Sequence, residues 1–258
     1  MTTAVDCFRL DGRIALITGA SSGIGAALAR GFAAAGAHVL LAARRQDRTA
    51  ALAKELLALG LKANALTLDV NDRASIRASF DDANKLAGPP DIVVNNAGIA
   101  EPATFLKTDD ASLQRVMQTN FFGAWNVCQE MAARLSAANR PGSIINIASV
   151  LGLGAAPGYA AYSASKGALI MLTQSLALEF VRYRIRVNAI APGWFISEMN
   201  AEYFASAAGQ AYIKRLPPGR TGEMAELVGP ALLLASQAGS YVNGVVLPVD
   251  GGHHAALV

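Results

Sequence analysis

The stretch Ile14-Ala15-Leu16-Ile17-Thr18-Gly19-Ala20-Ser21-Ser22-Gly23-Ile24-Gly25 decides how the chain is read. Ile14 to Ile17 is a short apolar run with the character of a buried strand, and Ala26 to Ala35 is an Ala-rich segment with the character of a helix. A strand that feeds a helix through three glycines brings unpaired backbone N–H groups and the positive end of the helix dipole to one place, which suits a pyrophosphate. A glycine-rich turn that binds nothing has the same local pattern, so the two readings are separated by what lies further along the chain.

Outward from that turn, short β-rich apolar runs alternate with helix-period segments. Strands are expected at His38 to Ala43, Ala63 to Leu68, Asp91 to Val94, Ser143 to Ala148, Arg186 to Ala191 and Val245 to Val249. Helices are expected at Thr49 to Leu59, Ser75 to Leu86, Ala111 to Ala138, Ala161 to Tyr183 and Glu223 to Ser236, with a less regular stretch from Trp194 to Gly222. This alternation predicts an α/β protein, a doubly wound parallel sheet with helices on both faces. No low-complexity linker or repeat divides the 258 residues, so one domain over residues 1–258 is expected. Ligands of such sheets sit beyond the carboxyl ends of the strands, and Gly19, Arg44, Asp69, Asn95-Asn96, Ser149 and Pro192 all fall there.

Composition narrows the class. Hydrophobic residues make up 53% and charged residues 16%, yet no run of about eighteen residues is free of a polar break, so no membrane span is expected. The net charge of +3 is small and the Lys and Arg residues are scattered, which argues against nucleic acid. Cys7 and Cys128 are far apart without metal-ligand spacing, and the segment before Arg13 lacks an apolar core of signal-peptide length; both point to a cytoplasmic protein. His253 and His254 lack a third ligand nearby, so no metal site is expected.

Tyr162 and Lys166 stand four apart on the expected helix and share a face. A phenol titrates near ~10, and an adjacent ammonium favours its phenolate, so the pair could make Tyr162 a general acid or base. Pairs with this spacing are also common on plain surfaces.

With these residues in hand the chain resembles the short-chain dehydrogenase/reductase family, over nearly its whole length from Gly12 to Gly252. The resemblance rests on Thr18-Gly19-Ala20-Ser21-Ser22-Gly23-Ile24-Gly25, Asp69-Val70, Asn95-Asn96-Ala97-Gly98, Asn120, Ser149, Tyr162-Ser163-Ala164-Ser165-Lys166, Pro192-Gly193 and Val249-Asp250-Gly251-Gly252. It implies a Rossmann-type fold and an oxidoreductase that moves a hydride between a nicotinamide and a C=O or CH–OH group. By the same resemblance Tyr162 passes the proton, Ser149 holds the substrate oxygen, Lys166 binds the ribose and lowers the Tyr162 pKa, and Asn120 supports Lys166 through a water. Asn96, Ala97 and Gly98 would line the adenosine side and Asp69 and Val70 would flank the adenine, although Asp69 could instead cap the next helix. Asp72 is better placed for that cap.

Cofactor choice is argued from charge. An NAD site carries an acid about twenty residues past the first glycines, whereas Leu41-Ala42-Ala43-Arg44-Arg45 holds no carboxylate before Asp47. Arg44 is therefore expected to grip a 2′-phosphate, assisted by Ser21 or Ser22, and the expected cofactor is NADP(H). Gly19, Gly23, Ile24 and Gly25 would hold the pyrophosphate, with Pro192, Gly193, Phe195 and Ser197 near the carboxamide by resemblance. Here the chain departs from the family: Trp194-Phe195-Ile196-Ser197 has a bulky phenylalanine where a β-branched residue is usual.

Residues from about 194 to 222 are expected to form a substrate lid. Tyr159, Trp194, Met199, Tyr203 and Phe204 join Ser149 and Tyr162 as candidate substrate residues, and the apolar content suggests a substrate with a hydrophobic portion, unless these side chains only pack the lid down. The expected activity is an NADPH-dependent carbonyl reductase or alcohol dehydrogenase. The alternatives are a 3-oxoacyl thioester reductase, acting on acyl carrier protein or CoA esters, and a non-catalytic NADP-binding regulator. The resemblance also implies a homotetramer, a dimer of dimers.

Overall fold

The computed structural model describes residues 5–198 and 200–256. Among these, seven strands form one sheet: β1 (Ile14–Thr18), β2 (His38–Ala43), β3 (Ala63–Thr67), β4 (Ile92–Asn95), β5 (Gly142–Ile147), β6 (Ile185–Pro192) and β7 (Val246–Val249). Their order is β3-β2-β1-β4-β5-β6-β7, and every neighbouring pair is parallel. The winding reverses between β1 and β4, where Ile17 lies beside Val94, and the crevice above that point is the expected ligand position.

Alternate side chains of each strand go to opposite faces. Ala15 and Ile17 of β1 and Val39 and Leu41 of β2 join Leu28 and Phe32 of α1 (Gly23–Ala34). Leu16 and Leu40 turn the other way, toward Ile76 and Phe80 of α3 (Arg73–Leu86), α2 (Gln46–Ala58) lying between these helices in the chain. Each face thus has one fully buried phenylalanine, whose truncation to alanine would cost about 3–5 kcal/mol. Covering both faces explains why the strands read as continuous apolar runs.

The strands fall where the sequence places them to within a residue or two, and Asp72 rather than Asp69 caps α3, accepting from Ala74 N. The long helices differ. The expected helix from Ala111 to Ala138 is interrupted: α4 (Asp110–Met117) passes through a π-helical turn, Gln118–Phe122, into α5 (Gly123–Ala137). Periodicity does not register one extra residue in a turn, and such turns occur where a side chain is re-aimed at a functional site. The re-aimed residue here is Asn120. Helix α6 (Ala160–Glu179) ends four residues before Tyr183, and the chain closes through Arg184 at φ 58°. The stretch from Trp194 to Gly222 is not wholly irregular, since it holds α7 (Ala201–Ala205) and α8 (Ala207–Ile213). The last expected helix divides into a 3-10 turn, Met224–Leu227, and α9 (Val228–Ala235).

Candidate active site

The carboxyl ends of the strands open on a cleft of about 580 Å³ that reaches from Arg44 at one end to Tyr159 and Trp194 at the other. The turn after β1 borders it through Gly19, Ser21, Ser22, Gly23 and Ile24. Gly19 has φ 66°, and a Cβ there would lie 2.9 Å from Ala97 Cα, so only glycine permits the approach of the β1 and β4 ends. Ser22 precedes α1 without a side-chain cap, which leaves the helix N-terminus open to an anion in the cleft.

Two residues lock this turn to β4. Asn96 Nδ2 donates to Thr18 O at 2.9 Å and Gly19 O at 3.2 Å, while Thr18 Oγ1 accepts from Asn96 N and Ala97 N, each at 3.0 Å. Thr18 is quoted in the motif but given no role by it. The signal for that role is a hydroxyl at the last position of a buried strand, where a valine would serve packing as well.

At the far end α6 presents Tyr162 and Lys166 on one face, as their spacing requires. Lys166 is 4% exposed, its Nζ donates to Ile147 O at 2.7 Å and lies 5.6 Å from the Tyr162 ring centroid. Burial lowers the Lys166 pKa to about 8. Tyr162 goes the other way, to about 12, because burial outweighs a hydrogen bond with Ser149 that stabilises the phenolate. In the cofactor-free protein burial thus outweighs any lowering of the phenol by Lys166, whose ammonium donates to the Ile147 carbonyl and is itself disfavoured by burial. Tyr162 carries its proton through the neutral range.

Asn120 is held from three sides. Its Nδ2 donates to Ile99 O at 2.9 Å and Ser165 Oγ at 3.0 Å, and its Oδ1 accepts from Ile99 N at 2.8 Å. Ser165 Oγ in turn donates to Tyr162 O at 2.7 Å, so the π-helical turn is tied to the first turn of α6. Ser165, fully buried, is a second residue the sequence reading passed over. Gly98 lies between Asn120 and Lys166; a Cβ there would be 3.2 Å from Asn120 Oδ1 and 3.6 Å from Lys166 Nζ.

A family model described as "Enoyl-(Acyl carrier protein) reductase" matches residues 19–254. The gluconate 5-dehydrogenase of Gluconobacter oxydans (strain 621H) is 40% identical over 248 residues, 96% of each chain. The chain belongs to the short-chain dehydrogenase/reductase family. A 3-oxoacyl-[acyl-carrier-protein] reductase FabG of Thermotoga maritima is 38% identical over 244 residues, 95% of this chain and 98% of that one. Among solved structures, a gluconate 5-dehydrogenase from Burkholderia cenocepacia J2315 in complex with NADP and tartrate superposes with a TM-score of 0.94 at 42% identity, covering 99% of this chain and 100% of that one.

Most residues singled out by the family resemblance meet in the one cleft: Ser149, Tyr162 and Lys166 at one end, Asp69, Val70, Asn96, Ala97 and Gly98 along one wall, and Pro192, Gly193, Phe195 and Ser197 along the other. Asn120 is buried behind them at Ile99. Arg44 borders the cleft, but the arginine bonded to the glycine-rich turn is its neighbour: Arg45 Nη2 donates to Ser21 Oγ at 2.9 Å and Ser22 Oγ at 3.0 Å. Arg45 also pairs with Glu198 at 3.1 Å, and Glu198 pairs with Arg48 as well. Nothing in the local sequence of Glu198 links it to Arg45, 153 residues earlier.

Three expected site residues, Gly25, Phe204 and Tyr203, lie off the cleft lining, while Phe195 lines it as expected. Gly25 does not line the cleft; a Cβ there would be 2.5 Å from Asn96 Nδ2 and from Gly19 O, so it is a packing glycine behind the turn. Phe195 borders the cleft but is 6% exposed, its ring against Gly222 and within the core beside α1. Phe204 is 1% exposed behind Trp194, ring centroids 5.5 Å apart, because α7 turns it inward. Tyr203 on the same short helix is 47% exposed and lies outside the cleft. Tyr159 and Trp194 remain as the aromatic wall, centroids 6.2 Å apart, with Tyr159 6.4 Å from Tyr162. Trp194 Nε1 donates to Tyr212 OH at 3.0 Å, which fixes the indole from α8. Met199 falls outside the described residues. Among the described residues no group of three or more His, Cys, Asp or Glu could hold a metal ion, and no helix is long and apolar enough to cross a membrane.

Proposed function

We propose that the protein is an NADPH-dependent carbonyl reductase, also able to run as an alcohol dehydrogenase, acting on a ketone or secondary alcohol with a hydrophobic portion. The observation that carries this reading is the pairing of a protonated, half-buried Tyr162 with the Ser149 hydroxyl in a cleft walled by Tyr159 and Trp194. The residues fit NADP(H): a close-packed glycine turn at an open helix N-terminus for the pyrophosphate, and Arg44, Arg45, Ser21 and Ser22 for a 2′-phosphate. When bound, the cofactor supplies or takes up the hydride.

The chain's own residues do the rest. As negative charge builds on the substrate oxygen, the Ser149 and Tyr162 hydroxyls donate to it, and preplaced donors in a dry site stabilise it most. Tyr162 then gives up its proton, and Lys166, whose pKa of about 8 leaves it partly charged near neutrality, stabilises the phenolate. Asn120 fixes α6 through Ser165 and keeps the hydroxyl aimed. Reduction is the favoured direction near neutral pH, since the resting acid is protonated; oxidation gains at higher pH.

Two further readings have support from similarity: reduction of a keto sugar or keto acid, from the gluconate 5-dehydrogenase relatives, and of a 3-oxoacyl thioester, from the FabG relative. Among the described residues bordering the cleft, the cations are Arg44, Arg45 and Lys166, none of them a spare partner for a substrate carboxylate beside Tyr159 and Trp194. NADPH oxidation with an aryl ketone, a 3-oxoacyl thioester and 5-ketogluconate, with Tyr162→Phe as the blank, tests the choice. Fastest turnover of the aryl ketone is expected; a preference for either other substrate, or no turnover of any, overturns the reading. The outward faces of α5 and α6 expose Trp125 (42%) and Met171 (61%), which supports the homotetramer as part of this proposal; light scattering that gives a monomer removes it.

A further inference from the structure

At the opposite end of the sheet the N-terminal ends of β5 and β6 border a second cavity, of about 470 Å³. Arg13, Arg184 and Arg186 line it, and among the described lining residues there is no carboxylate. One acid lies just behind: Asp91 accepts from Arg13 at 2.7 Å and is 3.8 Å from Arg140. Among the described residues no acid pairs with Arg186. Its guanidinium donates to two carbonyls, Val242 O at 3.2 Å and Ser236 O at 3.3 Å, and burial with the charge of Arg13 pushes its pKa below the usual arginine value. A half-buried cation held by long bonds to carbonyls, beside a second cation, is short of negative charge.

The backbone adds an independent observation. Arg184 sits at φ 58°, a left-handed position that glycine takes without strain and an L side chain does not. Its Nη2 donates to Asn139 O at 2.6 Å and Asn139 Oδ1 at 2.8 Å, and Asn139 is itself at φ 51°. Asparagine takes the left-handed region readily, so the strained residue is Arg184 alone, and it places a guanidinium at the rim of the cavity. Strain kept at one spot, where a glycine would remove it, marks a place where the side chain is used.

We propose that this cavity is a binding site for a phosphate dianion, free or as a small phosphomonoester, with Arg186 as its floor and Arg184 and Arg13 as its walls. Two arginines without a carboxylate match the charge of a dianion, and planar forked donors suit its oxygens. The volume exceeds that of the anion alone, which leaves room for the ester.

The test uses protein saturated with NADP⁺, so that the glycine-rich cleft is filled and cannot take the probe. Melting temperature is followed against inorganic phosphate and, separately, glycerol 3-phosphate, with sodium chloride holding ionic strength constant. Millimolar phosphate is expected to raise the wild-type value by about 2 °C or more through binding to the folded state. The rise should be lost in Arg186→Gln and at least halved in Arg184→Gly, a variant whose backbone accepts φ 58° and so keeps the fold. The probe that acts at the lower concentration identifies the form bound. Absence of any rise in the wild type, or an equal rise in the wild type and Arg184→Gly, overturns the proposal.

Discussion

The two ends of the active-site cleft are charged in different ways. At the Tyr162 end Lys166 is buried and Tyr162 half-buried, and loss of solvent moves their pKa values far from the ordinary ones, up to about 12 for the phenol and down to about 8 for the amine. At the Arg44 end the charges stand in solvent, and Glu198 alone engages both Arg45 and Arg48. Burial sets reactivity at the first end; at the second, exposed pairs are weak and partners can be exchanged. On the proposed function the chemistry end is thus built in advance, while at the other end Glu198 would give way to the phosphate of the cofactor.

The largest effect expected from this contrast is on Tyr162→Phe. Removing a positioned acid should lower kcat by about 10²–10⁴ while NADPH affinity by fluorescence titration stays within about twofold. Comparable losses in both would mean that the two ends are not separable. At the other end Arg44→Asp should raise the KM for NADPH by about 10- to 100-fold, as expected for loss of charge-assisted bonds, and leave that for NADH nearly unchanged. Equal effects on the two cofactors would remove the assignment of the 2′-phosphate to that end.

A stability measurement sharpens the same contrast. The unfolded chain keeps its Lys166 proton up to about 10.5 and the folded chain only up to about 8, so the unfolded state binds more protons between those values. Stability of the cofactor-free protein should therefore rise with pH through that window, by about 3 kcal/mol from this group, and Lys166→Met should flatten the rise. Urea unfolding at pH 7, 9 and 10.5 checks it, and parallel curves for wild type and variant would count against a dry chemistry end. The smallest effect belongs to Glu198→Gln. With its competitor removed, NADPH should bind about twofold more tightly and NADH as before, in keeping with the low worth of exposed ion pairs. Weaker NADPH binding would mean that Glu198 supports the phosphate end and does not compete for it.

Much of the cleft was legible from residue types alone. The glycine-rich turn, the polar residues at strand ends and the Tyr162–Lys166 spacing all follow from local rules of backbone geometry. Less legible was the direction of the Tyr162 pKa, because a spacing on a helix says that two side chains share a face but not how dry that face is. Phe204 and Tyr203 looked alike as lid aromatics, yet one is buried behind Trp194 and the other is in solvent. Only the rotation of a five-residue helix separates them.

What the sequence determined by itself is the alternation of strand and helix, hence the parallel sheet, and the ring of polar residues at its carboxyl ends, because hydrophobic period and glycine position act over a few residues. The tertiary structure alone decided that Asn120 leaves the helical register to hold α6, that Arg45 lies on the serines of the turn, and that Arg13 borders the same cavity as Arg184 and Arg186. Those depend on burial and on contacts between segments far apart in the chain, which no local pattern encodes.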